Sequence, residues 1–429
     1  MGLYTHQKEM MRFSLSRLRS AYLADVGTGK TRPAILTFYL RNLKSGAKKC
    51  LVTCPSSIMH NWIDEIKLCN TGLKAVVIYA KGKQKREEIL EQEADIYIIN
   101  HDYLSTLKYP LTAKKFDFII VDELTKFKHH QTKRSKALRH ITKNIKYRLG
   151  LTGSPITQTP MDAFGEMLVI DPVLFGDNFF SFRGHYFRNI GTYFPLWIPI
   201  KDRLITLAQK LAISCLRLEK KDCLDLPPMV IEKRVLEMPK KMRSDYEQMR
   251  EYLILEFENE GGLATATGEI VLKKLLRLSQ ITSGFIKSEE GEEMELGYTP
   301  KINELESLIE ELEGKKVIVW AKFIRTIELL AERFKNLKPA VVWGGDKDME
   351  HRYEEIKRFQ TDPECKMFVG QISLGFGFNL TAADTMVYVE HNFSVEDRHQ
   401  TKGRFDRIGQ TAEKTTVIDL VMENSIDTY

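Results

Sequence analysis

The arrangement of short apolar runs is the feature that most constrains the fold of this chain. From Tyr22 to about Pro172, runs rich in valine and isoleucine alternate with polar segments of helical character. Continuous apolar runs of this kind are typical of parallel strands that are buried on both faces. The runs are KKCLVTCP (48–55), LKAVVIYA (73–80), ADIYIIN (94–100), FDFIIVDE (116–123) and YRLGLTG (147–153).

A second series of such runs begins after about Gly314. Its members are KKVIVWA (315–321), PAVVWGG (339–345), CKMFVGQ (365–371), TMVYVEH (385–391) and TTVIDLV (415–421). A chain of 429 residues is too long for one hydrophobic core and long enough for two domains. The two series therefore predict an α/β protein with two parallel-sheet domains.

The segment between the two series has a different character. Residues 173–297 are first aromatic and then helical, and they include the amphipathic run IVLKKLLRLSQI (270–281). We interpret this segment as helical insertions together with the linker between domains. The predicted boundaries are 1–172 for the first domain, 173–297 for the insertions and linker, and 298–429 for the second domain.

A glycine-rich loop lies between the apolar run AYLAD and the helical segment RPAILTFYL. It fits the Walker A pattern, with Ala24 in place of the first glycine. Glycines let backbone N–H groups curl around phosphate, the lysine reaches the β- and γ-phosphates, and the final hydroxyl binds Mg²⁺. A structural glycine turn is the alternative, but GTGKT between a strand and a helix favours nucleotide binding. The predicted nucleotide-binding residues are Gly27, Thr28, Gly29, Lys30 and Thr31.

Two adjacent carboxylates, Asp122 and Glu123, end the run FDFIIVDE. A phosphate-binding-loop hydrolase needs one carboxylate to hold Mg²⁺ and another to orient the attacking water. We therefore predict that Asp122, with Thr31, is a magnesium ligand and that Glu123 is the general base. Solvated carboxylates at a strand end are the alternative, which the preceding Walker A loop disfavours.

Residues 126–148 form a basic stretch without a single acidic residue. Leu138, Ile141 and Ile145 are spaced as the buried stripe of a helix, which leaves many cations outward. The stretch fits contact with a polyanion, and a solvated helix face is the equally open alternative. Its cations are Lys126, Lys128, Lys133, Arg134, Lys136, Arg139, Lys143, Lys146 and Arg148.

The rest of the composition excludes several classes of protein. No apolar run approaches the ~18 residues that span a bilayer, and the N-terminus has no apolar stretch typical of a signal peptide. The six cysteines form no C-x-x-C pair, so we expect reduced thiols, without disulfides or zinc. A cytoplasmic protein with no membrane partner is predicted.

The motifs together resemble those of Snf2-type ATPases of helicase superfamily 2. The resemblance spans nearly the whole chain, in separable blocks that follow the family's order. The acidic motif departs from the family's DEAH-x-x-K-N at Leu124, Thr125 and His129. The resemblance implies two RecA-like parallel-sheet lobes with helical insertions between them. It also implies a DNA-dependent ATPase that uses ATP and Mg²⁺ and binds the DNA backbone.

Further ATP-site residues follow from the resemblance. Gln7, in the block Leu3–Gln7, is expected to contact adenine, and Gly377 belongs to a block that joins nucleotide and DNA contacts. The last motif, Q-x3-R-x2-R-x-G-Q, places Gln400, Arg404 and Arg407 among the catalytic residues. Two arginines three positions apart lie on one face of a helix, and each can donate paired hydrogen bonds to phosphate.

The same resemblance implies a set of nucleic-acid contacts on loops of both lobes. One block is VTCPS (52–56), one is the extended acidic motif, and one is LTGSPI (151–156). The residues expected to contact nucleic acid are Pro55, Ser56, Lys128, Thr152, Gly153, Ser373 and Asn379.

The leading functional hypothesis is an ATP-dependent translocase on duplex or branched DNA that serves repair, recombination or replication and acts as a monomer. A strand-separating DNA or RNA helicase of the same superfamily is the first alternative, because residues 173–297 could contain a wedge hairpin. A non-catalytic nucleic-acid-binding scaffold is the second, and the intact ATP-site residues argue against it.

Overall fold

A computed structural model of the chain describes residues 2–153, 159–192, 195–259, 268–288, 291–375 and 377–428. Side chains are described throughout these ranges except at 257–259 and 268–270. The contacts divide the chain into two compact units. Met1–Leu226 with Phe376–Phe378 make up the first unit, and Pro227–Gly375 with Asn379–Tyr429 make up the second.

The first unit alternates strands and helices as its sequence predicts. Its strands are β1 (Arg19–Ala24), β2 (Cys50–Cys54), β3 (Ala75–Ile78), β4 (Ile96–Asn100), β5 (Phe118–Val121), β6 (Tyr147–Thr152), β7 (Phe187–Asn189), β8 (Trp197–Pro199) and β9 (Cys215–Leu218). Its helices are α1 (Thr5–Leu15), α2 (Thr31–Ser45), α3 (Met59–Leu68), α4 (Lys83–Glu91), α5 (Lys108–Ala113), α6 (Lys133–Thr142), α7 (Asp162–Ile170), α8 (Phe179–Tyr186), α9 (Lys201–Ser214) and α10 (Lys220–Cys223).

A parallel sheet is the centre of the first unit. Its strands run in the order β3-β4-β2-β5-β6-β1-β9. Every pairing in it is parallel. The five apolar runs predicted as strands are confirmed as β2 to β6, and the central ones are buried on both faces. The carboxyl ends of all these strands meet at one edge, which is where α/β sheets bind ligands.

The second unit contains the other series of runs. Its strands are β10 (Met229–Leu236), β11 (Phe285–Lys287), β12 (Glu293–Glu295), β13 (Val317–Ala321), β14 (Ala340–Val342), β15 (Met367–Gln371), β16 (Thr385–Tyr388) and β17 (Thr415–Met422). Its helices are α11 (Lys240–Asn259), α12 (Gly268–Thr282), α13 (Pro300–Glu311), α14 (Ile324–Arg333), α15 (Met349–Thr361) and α16 (Val395–Lys402).

A second parallel sheet organises this unit, with the strand order β10-β17-β16-β13-β15-β14. The five predicted runs are confirmed as β13 to β17. The core between this sheet and its helices includes Val317, Val319, Ile327 and Leu330. The predicted α/β class with two parallel-sheet cores is therefore confirmed.

The segment predicted as insertions and linker contributes to both sheets. Within 173–297, β9 pairs with β1 at the edge of the first sheet, and β10 pairs with β17 at the edge of the second. The division between units falls at Leu226 and Pro227, inside the segment rather than at its ends. Neither edge strand is predicted from the sequence, because CLRL and MVIEKRVL are short or half exposed and lack a buried strand's continuous apolar run.

Candidate active site

The glycine-rich loop connects β1 to α2, as its sequence predicts. Gly27 has φ +91° and Gly29 has φ +72°, backbone conformations that side-chain-bearing residues rarely adopt. Helix α2 begins at Thr31, so the loop ends at a helix N-terminus, where backbone N–H groups favour an anion. The Lys30 ammonium lies inside the loop, where Nζ donates to the Ala24 carbonyl oxygen at 2.6 Å.

Helix α1 braces this loop from the side. The amide of Gln7 donates from Nε2 to the Gly29 carbonyl oxygen at 3.1 Å, and its Oε1 accepts from the Tyr4 N–H. His6 Nε2 lies 2.9 Å from the Thr28 carbonyl oxygen. Gln7 is thus placed beside the loop, as its predicted role requires, and its contact with adenine stays a prediction. The sequence alone does not predict the contact of His6 with this loop.

The acidic pair follows β5 at the same edge of the sheet. Asp122 is buried, and its Oδ2 accepts the indole N–H of Trp62 at 3.0 Å. Its Oδ1 accepts the backbone N–H of Glu123 at 2.9 Å. Glu123 itself has φ +48°, a left-handed conformation that costs energy for a non-glycine residue and is concentrated at functional sites.

The electrostatics of Asp122 reflect its burial. Desolvation, followed by the neighbouring Glu123 charge, raises the pKa of Asp122 to about 6. The Lys30 ammonium and the Trp62 hydrogen bond act in the opposite direction and lower it. Lys30 and Asp122 are therefore close enough to interact, which places the loop lysine and the acidic pair in one site. The carboxylate of Asp122 and the hydroxyl of Thr31 are oxygen donors of the kind that Mg²⁺ prefers.

The end of β6 also faces the glycine-rich loop. A Cβ on Gly153 would lie 2.7 Å from Val26 Cγ2 and 3.8 Å from Lys30 Nζ. Thr152 is fully buried. Thr152 and Gly153 therefore lie beside the glycine-rich loop and are both buried. Their contact with nucleic acid stays a prediction. Residues 154–158 of the same motif lie outside the described residues.

The ends of β2 and β4 are joined by a buried polar contact. Thr53 Oγ1 lies 2.7 Å from His101 Nδ1, and burial lowers the pKa of His101 to about 3, so its imidazole is neutral at physiological pH. Pro55 and Ser56 follow β2 and are half-buried. Their contact with nucleic acid stays a prediction.

The basic stretch is built as its pattern predicts, with one exception. Leu138, Ile141 and Ile145 are buried, which confirms the predicted stripe. Lys136, within α6, is exposed. Arg148 is buried: it donates to the carbonyl oxygens of Ile145 (3.2 Å), Val169 (3.0 Å) and Thr142 (2.5 Å). Arg148 is therefore not one of the outward cations, because it is a strand residue of β6 whose side chain closes the ends of α6 and α7.

Lys128 lies at the end of a short 3₁₀ turn that follows the acidic pair. Helix α7 packs against its backbone at Gly165, where an added Cβ would lie 2.0 Å from the Lys128 carbonyl oxygen. Lys128 is half-buried. Its main chain is thus fixed by packing, whereas its role toward nucleic acid stays a prediction.

In the second unit, the last motif departs from the helical arrangement that the sequence suggested. Helix α16 ends at Lys402, and Arg404 and Arg407 lie in the turns that follow it. The prediction that both arginines share one face of a helix is therefore wrong. Gly403, which has the weakest helix propensity after proline, stands at the helix end. Arg404 is buried and donates from Nε to the Gln400 carbonyl oxygen (2.9 Å) and from Nη2 to the Gln400 side chain.

The remaining predicted residues lie in the loop after β15. Ser373 and Asn379 are exposed, and the Asn379 carbonyl oxygen accepts from Gln360 Nε2 at 2.6 Å. Gly377 has φ +83°, so glycine is required there for conformational reasons alone. Phe376 lies outside the described residues.

Comparison with models of protein families gives two matches, which together span most of the chain. The model of the SNF2-related domain matches residues 6–284, and that of the helicase conserved C-terminal domain matches residues 300–409. The first match alone covers more than half of the chain. The chain belongs to the SNF2-related family. It is accordingly an ATP-hydrolysing enzyme of the helicase type.

Individual relatives are distant. The chain is similar to the uncharacterized ATP-dependent helicase MG018 of Mycoplasma genitalium, with 26% identity over 94% of this chain and 38% of that protein. It is similar to protein p41 of Acyrthosiphon pisum secondary endosymbiont phage 1, with 25% identity over 92% of this chain and 86% of p41. The chain spans less than half the length of several curated relatives that it matches.

Among solved structures, the SWI2/SNF2 ATPase core of Sulfolobus solfataricus in complex with dsDNA matches with a TM-score of 0.48. The identity is 22%, and the match covers 98% of this chain and 88% of that one. Within the described part of this SNF2-related chain, no helix has the length and apolar character needed to cross a membrane.

Proposed function

We propose that this SNF2-related enzyme is a DNA translocase, in which ATP hydrolysis drives movement along duplex or branched DNA. The observation that carries the proposal is the single site formed by the glycine-rich loop and the acidic pair. Lys30 interacts with a buried carboxylate, Asp122, whose orientation is fixed by Trp62 and by the backbone of Glu123. Such fixed geometry is what phosphoryl transfer requires, because catalysis there consists of positioning and charge stabilisation.

Each residue of the site has a proposed task. Gly27, Thr28 and Gly29 cradle the phosphates through their backbone, and Lys30 neutralises the β- and γ-phosphates. Thr31 and Asp122 hold Mg²⁺, which when bound offsets negative charge on the phosphate oxygens. Glu123 accepts the proton of the attacking water.

The second unit supplies the remaining proposed groups. Arg404 and Arg407 stabilise the charge that develops on the transferred phosphoryl group. Gln400 positions Arg404, since it binds that guanidinium through both its carbonyl oxygen and its side chain. Gln7 is proposed to contact adenine, and Gly377 is proposed to give the loop after β15 its required conformation.

Duplex DNA is the proposed partner, and the contacts are to phosphate. The stretch 126–148 has exposed cations and no acidic residue, and α6 presents Lys133, Lys136 and the half-buried Arg134 and Arg139. A motor must accept any sequence, so its grip has to come from the backbone rather than from base edges. Pro55, Ser56, Lys128, Thr152, Gly153, Ser373 and Asn379 are proposed as further contacts.

Three broader properties belong to the same proposal. The enzyme acts as a monomer, in the cytoplasm of a bacterial or phage-infected cell, and serves repair, recombination or replication. The similarity to the phage protein p41, most of whose length the chain covers, supports this origin. Strand separation is the second candidate function, because β7 and β8 pair antiparallel within the segment where a wedge could lie.

An ATPase assay tests the proposal directly. Turnover is measured without nucleic acid and with single strands, blunt duplex, fork and four-way junction. We expect stimulation by duplex or junction DNA, and loss of turnover in Lys30→Ala and Glu123→Gln. Glu123→Gln should still bind ATP, because the amide removes only the proton acceptor. Stimulation by single strands alone, with measurable unwinding of a fork, would favour the helicase alternative. Wild-type turnover in Glu123→Gln would refute the assigned base.

Turnover of Arg404→Ala is expected to fall by about 10³ with ATP binding retained, the scale at which arginine fingers act. Lys44→Glu, an exposed residue at the end of α2, provides a control for a change of surface charge in the same unit as the ATP loop. Wild-type kinetics of Arg404→Ala would mean that this buried arginine has only a structural role.

A further inference from the structure

A small subdomain of the first unit presents an unusual surface. Helix α8 packs on the hairpin β7–β8 around a core of aromatic side chains that includes Phe182, Tyr186 and Phe187. Outside this core, α8 and the hairpin expose three large apolar side chains among their described residues: Phe180 by 72%, Ile190 by 52% and Leu196 by 57%. Ile190 and Leu196 are held together at the hairpin end, where the N–H of Ile190 donates to the Leu196 carbonyl oxygen at 2.9 Å. We call Phe180, Arg183, Arg188, Ile190, Leu196 and Trp197 the hairpin surface.

Arg183 lies at the centre of the hairpin surface. Its guanidinium carbon is 4.0 Å from the Trp197 ring centroid, 5.3 Å from that of Phe180 and 5.4 Å from that of Phe179. Within the described ranges no hydrogen-bond or ion-pair partner reaches this guanidinium, and its Nε is buried without one. The rings fix the orientation of the cation, while its N–H donors remain available for a phosphate.

The charge of the subdomain points to the same class of ligand. Residues 178–214 contain five cations and one acidic residue, Asp202. None of the five forms an ion pair with any residue that the structure describes. The five are Arg183, Arg188, Lys201, Arg203 and Lys210.

The hairpin surface also adjoins the basic stretch 126–148. The ring of His130, which belongs to that stretch, lies 4.7 Å from the ring of Phe179 and 5.3 Å from that of Phe164. The two basic regions therefore meet at Phe179. Arg183, whose guanidinium carbon lies 5.4 Å from the Phe179 ring centroid, is the hairpin-surface cation beside this contact.

We propose that the hairpin surface is a binding site for an unpaired nucleic-acid strand. Arg183 and Arg188 contact its phosphates, and Phe180 stacks on a base. An unpaired strand exposes its bases, which can contact the apolar side chains of the hairpin surface. The bases of a duplex are paired and stacked inside, so they are not available for this contact. Aromatic stacking with a cationic groove is the usual means by which single strands are bound without sequence preference. None of these residues belongs to the ATP site, so the site is separate from the proposed motor function.

The experiment measures the binding of a fluorescein-labelled oligo(dT) strand to the full chain by anisotropy, across a series of salt concentrations. The variants are Phe180→Ala, Phe180→Tyr and Arg188→Glu, and the matched control is the double variant Leu43→Ala with Lys44→Glu. Leu43 is exposed by 61% and Lys44 is exposed as well, on the distant α2 end of the same unit. Thermal unfolding of each variant establishes that it is folded.

Phe180→Ala is expected to weaken strand binding by about tenfold or more, the effect of losing one stacked base. Phe180→Tyr, which keeps the ring, is expected to stay within twofold of the original protein. Arg188→Glu should weaken binding and reduce the slope of log K against log salt by about 0.7 or more, the value for one single-strand phosphate contact. Blunt-duplex-stimulated ATPase should stay within twofold in every variant.

Four outcomes would overturn the proposal. The original protein fails to bind oligo(dT), or Phe180→Ala and Arg188→Glu bind it as tightly as the original protein. Alternatively, Phe180→Tyr, or the double variant at Leu43 and Lys44, loses as much affinity for oligo(dT) as Phe180→Ala. Because duplex-stimulated ATPase is measured on the same samples, failure of this site is distinguishable from failure of the proposed motor function.

Discussion

The indole N–H of Trp62 donates to Oδ2 of Asp122 across 3.0 Å, and both side chains are buried. Trp62 comes from α3 and Asp122 from the end of β5, so the bond links the acidic pair to the helix that follows β2. Burial and Glu123 raise the pKa of Asp122, whereas this hydrogen bond and Lys30 lower it. The carboxylate that is proposed to bind Mg²⁺ is thus kept ionisable near neutral pH partly by one tryptophan.

Trp62→Phe should shift the acidic limb of the pH profile of ATP turnover. Without the indole donor the pKa of Asp122 rises further above about 6, so a higher pH is needed to ionise it. A hydrogen bond to a charged group contributes about 1.5 kcal/mol or more, which corresponds to a shift of about one pH unit. The measurement is kcat/KM for ATP between pH 5 and 9. Trp320→Phe, at a buried tryptophan of the second unit, provides the control. An acidic limb of the pH profile that does not shift in Trp62→Phe would contradict the role of the hydrogen bond between Trp62 and Asp122.

Asp122→Asn should stabilise the free protein while it inactivates the enzyme. The folded pKa of Asp122 is raised from 3.8 to about 6, so its contribution to stability is fully present below pH 3.8 and is lost as pH rises through 6. Above pH 7 the buried charge then costs on the order of 3 kcal/mol, which asparagine removes. Urea unfolding without ATP or Mg²⁺ at pH 4.5 and at pH 8 measures this difference. We expect a gain of about 3 kcal/mol at pH 8 and about 1 kcal/mol at pH 4.5. An equal change at both pH values would argue against it.

Much of this architecture could be predicted from local patterns. Continuous apolar runs such as Ile96–Asn100 are buried on both faces of a sheet, and this signal needs no knowledge of neighbours. The glycine-rich loop and the acidic pair could also be predicted from the sequence, because their chemistry depends on residue types at short spacing. Parallel topology then brings both to one edge.

What could not be predicted depends on contacts between distant residues. Nothing in the local sequence shows that Trp62 reaches Asp122, or that Arg148 turns inward to carbonyls of two helices. Strand β9 was missed because CLRL is too short to show a period. The helix containing Gln400 ends before Arg404, because glycine at 403 weakens a helical pattern that spacing alone suggested would continue.

Arg148→Lys and Lys136→Ala should separate structural from nucleic-acid-binding cations in the basic stretch. Arg148 donates to three carbonyl oxygens, and a lysine ammonium cannot reproduce this forked geometry. Its replacement should lower the unfolding free energy by about 2–4 kcal/mol, since buried carbonyl groups lose their partners. Lys136 is exposed on α6, so Lys136→Ala should change stability by less than about 0.5 kcal/mol.

Duplex-DNA binding should show the reverse pattern. Lys136→Ala is expected to reduce the salt dependence of DNA affinity by about one phosphate contact, a slope change of about 0.9, whereas folded Arg148→Lys should keep the original slope. Stability is measured by urea unfolding, and affinity by anisotropy over a salt series. A stability loss in Lys136→Ala as large as that in Arg148→Lys would contradict the division.

Two helical glycines should respond in opposite directions to alanine. A Cβ at Gly165, in α7, would lie 2.0 Å from the Lys128 carbonyl oxygen and 2.8 Å from that of Phe127, so the helix or the turn after the acidic pair has to move. Gly165→Ala should therefore destabilise the protein by about 1–3 kcal/mol, the usual cost of overpacking. Gly184, in α8, has nothing within 4 Å of its added Cβ. Gly184→Ala should stabilise the protein by about 0.5–1 kcal/mol, because alanine has the higher helix propensity. Thermal unfolding of both variants tests these expectations. A rise in melting temperature for Gly165→Ala would mean that α7 does not pack closely on the turn at Lys128.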